Sequence, residues 1–213
     1  MILYLHGFAS GPGSTKARYL AGRFAAEGVH IAVPDMTPGP QGFERSTPSS
    51  MLAVAEQHLQ GAPGPHAVVG SSLGGYLAAL AAGRNPGVDR LVLLAPAFRL
   101  AERWNARLSP DQLRRWQEEG LETHHFASGR IRRIGFEFLE DAMKWPAYPE
   151  VRVPTLCITG RRDELIPVPD VERFVEMTPG ARLIVVDDGH ELTESLHFIW
   201  GEIREFLGRD SSR

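Results

Sequence analysis

The chain has 213 residues, 43% hydrophobic and 23% charged, the composition of a globular protein able to bury a sizeable core. Its 23 basic residues stand against 26 acidic ones for a formal charge of −3, so no global basic field draws nucleic acid or anionic lipid. The single cysteine, Cys157, excludes an internal disulfide framework and a cysteine-only metal site, no apolar run reaches the roughly 18 residues of a membrane span, and the opening MILYLHGF lacks the basic and long apolar regions of a signal peptide; a soluble, cytoplasmic protein is expected.

Short apolar runs alternate with helical patterns. Residues 2–5 read as a first strand, followed by a glycine-rich loop and a helix over 15–27. A second strand covers 30–33 and ends at Pro34. Residues 49–59 carry apolar positions at helical spacing. A third strand over 67–69 leads into a helix that starts near Ser72. Residues 90–94 form a fourth strand and 153–159 a fifth. A helix follows over 168–177, then a sixth strand over 182–186 and a closing amphipathic helix over 194–207. Strands apolar throughout and alternating with helices predict a parallel sheet covered on both faces.

The alternation breaks between 97 and 149. Ser109 and Pro110 mark a helix start, the pattern over 111–119 is helical and stops at Gly120, Ser128 and Gly129 form a turn, and 136–145 suits another helix. Insertions of this length in a regular α/β chain are usually functional. Residues 98–150 are expected to form a cap inserted in a single domain spanning 1–213.

Gly70-Ser71-Ser72-Leu73-Gly74 fits G-x-S-x-G. Its context is the informative part: the apolar AVV before it and the helix-forming YLAALAA after it. A sharp strand-to-helix turn holds Ser72 in a strained conformation with Oγ exposed, and the helix N-terminus behind it favours developing negative charge. Ser71 lies one position early and is aimed elsewhere.

A serine hydroxyl needs a base, oriented in turn by a third group. The fifth strand runs into Gly160-Arg161-Arg162-Asp163, and the sixth into Asp187-Asp188-Gly189-His190. Asp163 and His190 thus leave the sheet at the same end as Ser72, where open α/β sheets place their sites, in the chain order Ser, acid, His. Glu164 points differently from its neighbour, Asp187 and Asp188 are too near His190 to orient it, and Asp170 belongs to the following helix. His6 is expected to be hydrogen-bonded structure and His197 to lie within the last helix. His66 precedes a strand, and His124 and His125 fall in the expected cap.

These residues resemble the α/β-hydrolase superfamily: His6-Gly7-Phe8, Gly70 to Gly75, Gly160-Arg161-Arg162-Asp163 with Ile166-Pro167, and Gly189-His190. LYLHGFASGPGSTKA and VVGSSLGGY are similar to the YqiA-like bacterial esterases. Trp116 to Gly120 (WQEEG) and Phe136 to Ala142 (FEFLEDA) are similar to the mitochondrial acyl-protein thioesterase and mycophenolic-acid glucuronide esterase group. The resemblance implies an α/β-hydrolase fold with a shortened, mostly parallel six-stranded sheet. It implies Ser72, Asp163 and His190 as triad, and an oxyanion hole of the Phe8 and Leu73 N–H groups. His-Gly-Phe in place of His-Gly-Gly-Gly implies a narrow site, unsuited to bulky tertiary-alcohol esters. A serine at the elbow disfavours the dehalogenase and epoxide-hydrolase chemistries that use aspartate there.

The expected reaction is cleavage of a small carboxylic ester through an acyl-enzyme, with no metal or cofactor. An acyl-protein or acyl-CoA thioesterase is the nearest alternative. A non-catalytic ligand-binding protein on the same fold is the alternative of another class. Met36, Trp104, Phe136 and Trp145 are candidate pocket residues. Most aromatic residues of the insertion, among them Trp116, Phe126 and Phe138, are expected to form a small core of its own, and Arg130, Arg132 and Arg133 a solvated face.

Overall fold

The computed structural model describes residues 1–39 and 41–208. In chain order the elements are β1 (Ile2–Leu5), α1 (Thr15–Ala26), β2 (Ile31–Ala32), α2 (Pro48–Gln60), β3 (His66–Ser71), α3 (Leu73–Arg84), β4 (Val88–Leu94), α4 (Leu100–Arg107), α5 (Pro110–Glu119), β5 (Leu121–His125), β6 (Arg130–Ile134), α6 (Glu137–Ala142), β7 (Thr155–Gly160), α7 (Val168–Met177), β8 (Ala181–Val186) and α8 (Leu196–Gly208). One sheet runs β2-β1-β3-β4-β7-β8 with every neighbouring pair parallel, while β5 and β6 pair antiparallel in a separate hairpin. This is the α/β-hydrolase fold in shortened form.

The strand period of two sorts the core into two layers. Leu3, Leu5, Val68, Leu91, Leu93 and Cys157 point to one face and pack on α2, α3 and α7. Tyr4, Val69, Val92, Leu94, Leu156 and Ile158 point to the other and pack on α1 and α8. From β1 the chain first steps outward to β2, then returns past β1 to β3. The order therefore reverses between β1 and β3, and the crevice beyond their C-terminal ends is where such sheets bind ligands.

The insertion differs from expectation in three ways. Its aromatic residues do not form a separate small core: Trp116, Ile134, Phe138, Leu139 and Ala142 are buried in one continuous cluster with Leu3, Phe43, Met51 and Leu52. The reason is that α6 packs on both α2 and α4. The turn at Ser128 and Gly129 does form, with Gly129 at φ +64, but the residues flanking it are strands rather than plain loop. The segment 136–145 shortens to α6. The helix start expected at Ser109 and Pro110 is borne out by a reciprocal capping box at α5, and α2, expected from apolar spacing alone, begins the same way at Thr47 and Pro48. Among the described residues no helix is long and apolar enough to cross a membrane.

Candidate active site

Ser72 occupies the turn between β3 and α3 at φ 55, ψ −120. Its main chain is fixed by hydrogen bonds on both sides: Ser72 N–H donates to Leu94 O (2.9 Å), and Gly75, Tyr76 and Ala97 N–H donate to Ser72 O (2.9, 3.1 and 3.0 Å). The flanking glycines are sterically required. A Cβ on Gly70 would stand 2.2 Å from Gly74 O, and one on Gly74 would stand 2.1 Å from Leu5 O. Ser71 is buried inside β3, as its position one residue early implies.

Ser72 Oγ–H donates to His190 Nε2 at 2.9 Å, and His190 Nδ1–H donates to Asp163 Oδ2 at 2.8 Å. The Asp163 side chain is fully buried. Its other oxygen, Oδ1, accepts from Leu165 and Ile166 N–H, both at 2.8 Å. Burial by itself would raise the Asp163 carboxyl. The hydrogen bonds from His190, Ile166 and Leu165 outweigh it and hold the group below the usual carboxylate range. Gly160 keeps the two loops together, because a Cβ there would stand 2.3 Å from Asp188 O.

The rival carboxylates have other partners. Asp188 is buried and accepts from Gly189 N–H (2.7 Å) and Ser195 N–H (2.9 Å), which shapes the His190 loop and the start of α8. Asp187 meets Arg162 at 3.1 Å on the surface. Asp170 receives Arg99, just before α4, and Arg103 from α4. Glu164 and His197 are exposed.

The loop after β1 runs beside the serine: a Cβ on Gly7 would stand 3.4 Å from Ser72 Cβ. Phe8 N–H in this loop and Leu73 N–H at the first position of α3 have no acceptor among the described residues. His6, buried at the end of β1, braces the loop. Met36 N–H donates to its Nε2 (3.3 Å), so Nδ1 carries the proton and donates to Gly7 O (3.1 Å). Burial pushes the His6 imidazole below the ordinary histidine range, in keeping with this neutral form.

The four candidate pocket residues part company. Met36 lies against His6, and Trp104 meets the Phe8 ring edge-on at 5.7 Å, so both adjoin the loop beside Ser72. Phe136 instead packs on Trp116 and lines a recess of about 640 Å³ with Glu44, Arg45 and Glu140. Trp145 donates through Nε1 to Ser49 Oγ (3.0 Å), lies under Arg84, and edges a smaller recess with Tyr76 and Leu100. Phe43, which the sequence did not single out, and Phe138, expected in a core of the insertion's own, stand 5.6 and 5.3 Å from the Phe8 ring. Lys16 was also missed: its Nζ donates to Glu191 O at 2.7 Å, next to His190. Its buried place could not be read from a lysine in a polar, glycine-rich stretch. Among the described residues no group of three or more His, Cys, Asp or Glu side chains is placed to hold a metal ion.

Comparison with known proteins bears on the family and the fold. The sequence model of a family described as "Uncharacterised protein family (UPF0227)" matches residues 1–207. No curated protein matches significantly. Among solved structures, the chain is similar to alpha/beta hydrolase domain-containing protein 10 from mouse (22% identity, 99% of this chain and 90% of that one, TM-score 0.80). It is similar to Est1E from Butyrivibrio proteoclasticus in a complex with ferulic acid (19% identity, 100% and 89%, TM-score 0.83). It is also similar to a metagenome-derived lipolytic enzyme (23% identity, 98% and 93%, TM-score 0.70). At these identities the likeness is one of fold.

Proposed function

We infer, for a chain that belongs to the uncharacterised protein family UPF0227, that it is a serine hydrolase cleaving small carboxylic esters through an acyl-enzyme. The observation that carries this reading is the unbroken relay from Ser72 Oγ through His190 to Asp163, at 2.9 and 2.8 Å. In this mechanism His190 Nε2 takes the hydroxyl proton as Ser72 Oγ attacks the acyl carbon. Asp163 keeps the proton on Nδ1 and stabilises the imidazolium. In this reading the carbonyl oxygen becomes an oxyanion that accepts from Phe8 N–H and Leu73 N–H, the kind of fixed donors that stabilise charge as it develops. The tetrahedral intermediate collapses, the leaving oxygen takes the proton from His190, and the alcohol departs. Water then attacks the acyl carbon, giving its proton to His190 Nε2. Collapse of the second intermediate returns that proton to Ser72 Oγ and frees the acid.

A second reading, an aryl ester, is favoured by the aromatic cluster that Trp104 and Phe138 form with Phe8, in the loop that runs past Ser72. The ferulic acid held by the similar Est1E accords with it. Hydrolysis rates on matched acetyl, butyryl, octanoyl and aryl esters, with the corresponding thioesters, separate these substrates.

The deciding experiment is fluorophosphonate labelling of the wild type beside Ser72→Ala, with peptide mapping. A single adduct on Ser72, with turnover abolished in a folded Ser72→Ala, is expected. A folded wild type that takes no label would overturn the hydrolase reading and favour a non-catalytic ligand-binding protein.

A further inference from the structure

The loop that carries His190 is strained. Leu192 sits at φ 54, a left-handed conformation that is unfavourable for a residue carrying a Cβ. Its fully buried side chain offsets that cost by packing in the layer of α1 and α8. Between His190 and Leu192 lies Glu191, whose side chain is 75% exposed but whose main chain is pinned. Glu191 O accepts the 2.7 Å hydrogen bond from Lys16 Nζ, and Glu191 Oε2 accepts a second at 2.9 Å.

The Lys16 side chain is only 9% exposed. Lysine is almost never so buried unless its ammonium is paired and hydrogen-bonded. Lys16 stands in the first turn of α1, where Ser14 caps the helix by accepting from Ala17 N–H. The chain between Phe8 and that cap is tightly turned, with Ser10 N–H donating to Gly7 O and Ser14 N–H to Gly11 O. One buried ammonium therefore joins the segment bearing Phe8 N–H to the segment bearing His190, 175 positions away.

We propose that Lys16 is a positioning residue: through Glu191 O it holds the His190 imidazole at hydrogen-bonding distance from Ser72 Oγ and in fixed relation to Phe8 N–H. This rests on the reading of Ser72, His190 and Asp163 as a catalytic triad. Lys16 acts on the reaction only through the His190 loop. Misplacement of a catalytic group by about 1 Å can cost on the order of 100-fold in rate. The loss is expected in kcat, with little change in KM.

The test is the rate of inactivation by a fluorophosphonate, resolved into its maximal rate and its half-saturating concentration, for wild type, Lys16→Met and Lys16→Arg, with kcat and KM on a butyryl ester. If the folded wild type takes no label, the triad reading fails, whatever Lys16 does. If the wild type labels, Lys16→Met should lower the maximal rate and kcat about 10- to 100-fold, leaving KM and half-saturation within about twofold. Lys16→Arg, which keeps a cationic donor, should recover most of the loss. Labelling of Lys16→Met at the wild-type rate overturns the proposal, and so does Lys16→Arg performing no better than Lys16→Met. Should Lys16→Met not fold, Lys16→Arg is compared with Lys16→Gln, whose donor is one atom short. Faster labelling by the arginine variant then supports the proposal, and equal rates sink it.

Discussion

A Cβ on Gly74 would meet Leu5 O at 2.1 Å and His6 O at 2.5 Å, main-chain atoms at the end of β1 and the start of the loop that carries Phe8. Neither can yield without moving β1 away from β3. Gly74→Ala is therefore expected to destabilise by about 3 kcal/mol or more, at or beyond the upper end for overpacking. Gly13, with nothing within 4 Å of its would-be Cβ, is the control. There alanine should be neutral or stabilising by up to about 1 kcal/mol. Urea unfolding of the two variants checks the contrast. The same scale governs Asp163→Asn: Leu165 and Ile166 N–H still find an acceptor, but an amide in place of Oδ2 no longer fixes the His190 tautomer. Labelling of Ser72 is expected to slow on the order of 10,000-fold, as when other triads lose their carboxylate. A rate within tenfold of wild type would remove Asp163 from the role.

The elements between β4 and β7 were the hardest to read from sequence, for reasons local to each. α4 follows Arg99 at φ 57 and has no side-chain cap, so no start signal marks its charged sequence LAERWNAR. In the β5–β6 hairpin the inward side of the alternation is partly polar: Arg132 turns back to Glu44 in a close, bidentate ion pair, where an apolar residue would have announced a strand. Trp116 secures this region. It is 1% exposed, donates from Nε1 to Ile134 O at 2.9 Å, and touches the rings of Trp104 and Phe136. Trp116→Ala should cost about 3–5 kcal/mol by the cavity it leaves, and it also strands a buried carbonyl. Because Trp104 leans on Phe8, the same variant is expected to slow turnover in whatever fraction remains folded. Unchanged stability and turnover would mean that the insertion holds its place without this side chain.

For the molecule as a whole, acidification works against the fold in two windows. Burial depresses His6, so below about pH 6.5 the unfolded chain binds a proton that the native state resists, and stability falls as pH drops through that range. Asp163 is held below the usual carboxylate range by hydrogen bonds that outweigh its burial, and so is Asp141, to which Ser49 and Lys144 donate. Their stabilisation is complete above about pH 4 and is lost as pH falls through their lowered native values. Melting temperature against pH should decline in both windows. His6→Asn should lessen the upper decline, to which His125, also depressed by burial, contributes, and Asp163→Asn should lessen the lower, which it shares with Asp141. What the chain alone determined is what local chemistry dictates: the apolar strand runs, the helix start at Ser109 and Pro110, and the glycines that an elbow at Ser72 demands. These sufficed for the sheet, for its parallel order, and for Ser72, Asp163 and His190 as residues sharing one edge. Only the tertiary structure decided the rest, because it joins distant residues whose types announce nothing: the relay distances, Lys16 bonded to Glu191 O, Phe43 and Phe138 against Phe8, and Trp145 turned toward Ser49. A lysine in a polar stretch or a tryptophan in an insertion reads alike whether it faces solvent, core or catalytic loop. Which of these it faces depends on the packing of elements far apart in the chain.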